Sequence, residues 1–102
     1  MLTIFEWDRR KAEANLRKHE ISFEEAQTIF TDPLAITLPD PDHSEDEERF
    51  VEIGMSDSQR VLVVGYTERG QRIRLINARK ASARERKQYE EGTYDQNNAR
   101  CG

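Results

Sequence analysis

The chain has 102 residues, 35% of them apolar and 35% charged, with a formal net charge of −4. That length holds one domain with a thin core and excludes a large enzyme built around a deep interior cavity. A single cysteine, Cys101, gives no intrachain disulfide framework, no apolar run reaches membrane-spanning length, and Met1 to Trp7 lack a secretory layout, so the expectation is a soluble, cytoplasmic protein.

Thr3 to Trp7 reads as a short β run, and Asp8 then offers the side-chain acceptor of an N-cap for a helix through Lys18. Ser22 with Glu25 three residues on makes a capping box, and Phe23, Ala26, Gln27 and Phe30 recur at helical spacing, which predicts a second helix stopped near Asp32-Pro33. Ala35 to Leu38 reads as a strand, Pro39 to Asp42 as a turn and the acidic stretch to Glu48 as a solvated loop. Strands follow at Phe50 to Met55, Val61 to Val64 and, after a turn over Glu68 to Gln71, Arg72 to Ile76. Alternation puts Ile73 and Leu75 on one face of that last strand, Arg72 and Arg74 on the other. A third helix is expected from about Ala78 to Glu91, before Gly92. The order implies an α+β fold, with two N-terminal helices, an antiparallel meander of about four strands and a C-terminal helix. The domain is expected to occupy residues 1–92, and 93–102 to form a polar, flexible tail.

The acidic balance hides a segregation of charge: thirteen of the sixteen basic residues fall in two blocks, 9–18 and 69–87, while Asp40 to Glu52 holds seven acids and one arginine. Such a surface can meet a polyanion on one side despite its net charge. Arg79, Ala83, Arg86 and Tyr89 would share one side of the third helix, an arginine pair able to hold phosphate oxygens with a tyrosine able to stack a base. A solvated helix face with Tyr89 in the core explains the same spacing. His19, at the end of the first helix, has the proton affinity to take up a ribose 2′-hydroxyl proton; a half-buried packing histidine or a cation at the helix C-terminus fits equally well. Lys18 is a phosphate contact or an ordinary terminal lysine. The acidic run, with His43 inside it, lacks the spaced pattern of a metal loop, and no cofactor motif is present, so neither metal nor cofactor is expected.

Taken as an ordered set, Phe5-Glu6-Trp7-Asp8, Lys11, Asn15 through Ala26, Glu48-Arg49-Phe50, Gly54, Val61 to Tyr66, Ile73-Arg74, Ile76 through Ala81, Glu85-Arg86 and Tyr89 resemble the BrnT toxin family. The resemblance spans roughly Phe5 to Tyr89. It implies a compact fold like that of RelE-type ribonuclease toxins, RNA cleavage that arrests translation, and a BrnA-like antitoxin that binds DNA and forms a hetero-oligomer with the toxin. It also implies a polar set of Lys18, His19, Arg49, Arg74, Arg79 and Arg86; with Arg72 and Tyr89 these are the candidate catalytic and RNA-binding residues. Two positions depart from the family pattern: Glu20 stands where glycine is usual, so the turn after the first helix needs a non-glycine residue at positive φ or is built differently. Asn77 replaces the usual serine and would keep an N-cap function. A second class of function stays open beside the metal-independent endoribonuclease: a non-catalytic protein-binding module acting in transcriptional autoregulation with a DNA-binding partner.

Overall fold

A computed structural model describes residues 3–40 and 48–101; the acidic run with His43 falls largely outside them. The elements are β1 (Ile4–Trp7), α1 (Arg9–His19), α2 (Phe23–Gln27) running into a 3-10 turn (Thr28–Thr31), β2 (Ile36–Pro39), β3 (Arg49–Met55), β4 (Val61–Arg69), β5 (Arg72–Lys80) and α3 (Ala83–Cys101). Among the described residues the strands form one sheet in the order β1-β5-β4-β3-β2. The expected meander β2 to β5 is antiparallel, and β1 adds parallel to β5, which makes the sheet mixed.

Local chemistry starts and stops the first helices as the sequence suggests. The Asp8 carboxylate accepts from the amides of Arg10 and Lys11, and the Ser22 hydroxyl accepts from the amide of Glu25. After α1 the chain turns at Glu20 in the left-handed region (φ 60°), its amide donating to the Leu16 carbonyl. Glu20 therefore carries the strain that glycine would avoid.

One sheet face buries Phe50, Leu62, Val64, Tyr66, Ile73, Leu75 and Ala78 against Ile21, Phe23, Ala26 and Ile29. On the other face a smaller cluster of Ile36, Ile53 and Val63 packs against Tyr89 of α3. Asn15 joins the layers. Its amide donates to the Ile21 carbonyl (3.0 Å) and the Ala78 carbonyl (2.8 Å), and its oxygen accepts from the Ala78 amide (3.0 Å). β1 ends opposite Leu75, so the Asn15 side chain serves β5 as a strand neighbour where the backbone one has stopped.

The third helix starts later than expected. Ala78 to Lys80 stay in β5, paired with Val64 to Leu62, and the helix opens with a reciprocal box in which the Ser82 hydroxyl accepts from the Glu85 amide and the Glu85 carboxylate from the Ser82 amide. Asn77 is thus a strand residue and caps nothing. Helical backbone runs on to Cys101 across a break at Gly92 (φ 38°, ψ −124°).

Candidate active site

Strand register decides which side chains can act together. Arg49 of β3 stands opposite Thr67 of β4, Thr67 opposite Arg74 of β5, and Arg74 beside Glu6 of β1. The four occupy one row across the sheet on the face away from α1 and α2. Strands lie about 4.8 Å apart, so Arg49 and Arg74 are rooted roughly 10 Å from each other and can close on one tetrahedral anion.

A bulge extends the row into a patch. The register between β4 and β5 shifts at Gly65/Tyr66: Tyr66 pairs with Leu75 but Gly65 with Asn77, leaving Ile76 as the extra residue. Beyond the bulge the alternation reverses, so Asn77 and Arg79 join Arg72 and Arg74 on the same face. Gly65 is bare beneath Asn77; a Cβ there would meet the Asn77 side-chain oxygen at 2.9 Å.

The charge of the row is only partly neutralised. Arg72 (3.1 Å) and Arg74 (3.3 Å) both donate to the Glu6 carboxylate, and the Arg72 hydrogen bond above all holds the Glu6 carboxyl below its usual range. Among the described groups at this end of the sheet, Arg49, Arg69, Arg72 and Arg74 outnumber the carboxylates of Glu6 and of Asp40, whose amide donates to the Arg49 carbonyl, so the balance here is cationic.

The remaining predicted residues do not converge there. Asp8, at the start of α1, feels the charge of Arg74; Asn15 is tied to Ala78; and Glu20, just past the end, acts on Arg60. The helix therefore runs alongside β5 away from Arg74. Lys18, exposed, and His19, half-buried, stand at its far end, more than about 10 Å from the row, since Ala78 pairs with Val64, three residues along β4 from Thr67. Arg79 shares the face of the row, but both its terminal nitrogens bind the Glu85 carboxylate at 2.8 Å, which lowers the Glu85 pKa to about 2. It ties β5 to the first turn of α3.

Arg86 is exposed on α3 and lines a cleft of about 350 Å³ with Arg60, Lys80 and Glu90. The Arg60 charge in that cleft is already taken up by Glu25. Arg79 and Arg86 thus share no helix stripe, because Arg79 belongs to a strand. Tyr89 is 8% exposed, and its hydroxyl donates to Asp32 at 2.6 Å, so it anchors α3 and offers no ring face to a base. Another cleft, of about 620 Å³, is rimmed by Asp32, Asp57 and Glu90, carboxylates that repel a polyanion.

Sequence reasoning missed Thr67 and Glu6. Thr67 lies beyond the predicted strand Val61 to Val64 and carried no local signal, yet it is 1% exposed and its hydroxyl oxygen has no hydrogen-bond partner among the described residues. Glu6 lay inside the family-like opening run, but nothing local to it announced two arginines 66 and 68 residues away.

Fold and site define a small α+β domain whose sheet gathers Arg49, Arg72 and Arg74 on one face. The family model described as "Ribonuclease toxin, BrnT, of type II toxin-antitoxin system" matches residues 7–85, and the chain belongs to that family. The crystal structure of the Brucella abortus ribonuclease toxin BrnT is similar in fold, with a TM-score of 0.61 at 24% identity over 80% of this chain and 99% of that one. Among curated protein sequences none matches this chain. No helix among the described residues is long and apolar enough to cross a membrane.

Proposed function

We propose that this toxin is a metal-independent endoribonuclease whose phosphate seat is the Arg49–Thr67–Arg74 row. The observation that carries the reading is the placement of Arg49 and Arg74 across one threonine on one sheet face. In this reading a ribose 2′-hydroxyl attacks the adjacent phosphorus and gives up its proton to solvent water. The P–O5′ bond breaks, the 5′-oxygen takes up a proton from solvent water, and a 2′,3′-cyclic phosphate remains. Arg49 and Arg74 hold the phosphate in line and offset the charge that grows on its oxygens, while Arg72 takes a neighbouring phosphate. In this reading Lys18 and His19, at the far end of α1, take no part in the proton transfers, and catalysis rests on charge stabilisation by the arginines.

Cleavage of this kind in the cytoplasm arrests translation. A co-encoded BrnA-like antitoxin would neutralise the toxin as a hetero-oligomer by covering the cationic face, and DNA would be contacted only through that partner.

The test is incubation of the purified protein with RNA in EDTA. Fragments with cyclic-phosphate ends are expected, and Arg49→Ala and Arg74→Ala should each slow cutting by about 100-fold or more. Intact RNA in EDTA with cutting restored by magnesium would remove the metal-free mechanism.

One observation favours a second reading, a non-catalytic binding module in transcriptional autoregulation: Glu6 engages Arg72 and Arg74, and Glu85 holds Arg79. Tight binding to the co-encoded partner with no growth arrest on expression of the toxin alone would favour it over the nuclease.

A further inference from the structure

Thr67 is anomalous on physical grounds. A buried hydroxyl almost always finds a partner, because leaving one unpaired costs free energy, yet this is the buried side-chain oxygen that has none among the described residues. Its neighbours explain the vacancy. Across the sheet it is flanked by Arg49 and Arg74 and along β4 by Arg69, whose side chains donate and cannot accept, and by Gly65, which has no side chain; the Asn77 amide lies over Gly65 and makes no hydrogen bond to the hydroxyl. A hydroxyl whose strand neighbours on both sides are arginines lacks an acceptor until one is brought in.

We infer that the Thr67 hydroxyl is the third donor of the phosphate seat, giving its hydrogen bond to a non-bridging oxygen of the phosphate held by Arg49 and Arg74. This inference rests on the nuclease reading and adds a substrate-contacting residue to it. A phosphate oxygen is the acceptor that fits, since it can receive from both guanidiniums and the hydroxyl together and cancels their charge. The unligated protein tolerates an unsatisfied group there because binding satisfies it, a common arrangement at sites shaped for a ligand rather than for stability.

The experiment compares Thr67→Val and Thr67→Ser in the full chain, with cleavage of an RNA oligonucleotide, affinity for its uncleavable all-2′-O-methyl counterpart and thermal midpoint measured for each. Valine keeps the shape and removes the donor; serine keeps the donor and removes a methyl group. The expected pattern is crossed. Thr67→Val should hold or raise the midpoint while cutting about 10-fold to 100-fold more slowly, the range for losing a hydrogen bond to a charged oxygen. Thr67→Ser should melt lower yet cut within about threefold of wild type, having lost packing and kept the donor. Thr67→Val cutting at the wild-type rate, while Arg49→Ala and Arg74→Ala remain slow, would overturn the assignment and leave the nuclease reading standing. Wild-type rates in all of these variants would overturn both. If valine lowers the midpoint, Thr67→Ala is set against Thr67→Ser: slowing in alanine alone supports the donor role, and equal slowing in both assigns Thr67 to packing and overturns it.

Discussion

Replacing Asn15 by leucine should be among the most destabilising single changes in this protein. Asn15 is 7% exposed and makes three hydrogen bonds, to the Ile21 carbonyl and to both backbone groups of Ala78. Leucine is similar in bulk and a better helix former, so neither a cavity nor lost propensity would account for a loss. What remains is three buried backbone groups stripped of their partner, at about 1–3 kcal/mol each. Partial rescue by relaxation brings the sum to about 3–5 kcal/mol, set against a typical total of about 5–15 kcal/mol for a small domain. Urea denaturation at neutral pH measures it, with the neighbouring Leu16→Ala, half-exposed on the same helix, expected to cost below about 1 kcal/mol. Hydrogen exchange should show the Ala78 amide losing protection in the Asn15 variant first. A loss under about 1 kcal/mol at unchanged m-value would refute the view that a side chain completes the edge of β5.

Other predictions follow from individual partners. Glu85 has its pKa lowered to about 2, chiefly by Arg79; its contribution is present above the unfolded value of 4.5 and is lost as pH falls toward 2, so acid titration of Glu85→Gln should be flatter in that window, by about 1 kcal/mol given the partial exposure of both partners. Glu52 has the opposite sign: burial raises its pKa, the cost of ionising it grows as pH rises above 4.5, and Glu52→Gln, still accepting from Thr37, should raise the thermal midpoint at pH 7. His19→Ala should cut RNA within about threefold of wild type, since loss of a true proton-transfer group costs about 100-fold or more; a loss of that size in a folded variant would return the histidine to the site.

Much of the local architecture was legible in the chain. The Asp8 cap, the Ser22 cap and the placement of Arg72 and Arg74 opposite Ile73 and Leu75 all depend on residues within a few positions of one another, where spacing carries the information. The start of α3 was also written locally, in Ser82 and Glu85, but the arginine and tyrosine spacing from Arg79 to Tyr89 competed with it. Tertiary structure settled that conflict, because the pairing of Ala78 to Lys80 with β4 and the grip of Asn15 on Ala78 outweigh helical periodicity.

The site itself depended on contacts that no local pattern encodes. Strict alternation along β5 would send Asn77 and Arg79 to the face opposite Arg72 and Arg74; the extra residue at Ile76 returns them to the same face. Composition and periodicity determined that the protein is a small α+β domain with segregated charge, since both are properties of the chain. Which arginines meet, and which of them a carboxylate already holds, was decided by strand register, a relation between residues far apart in sequence that exists only once the sheet is assembled.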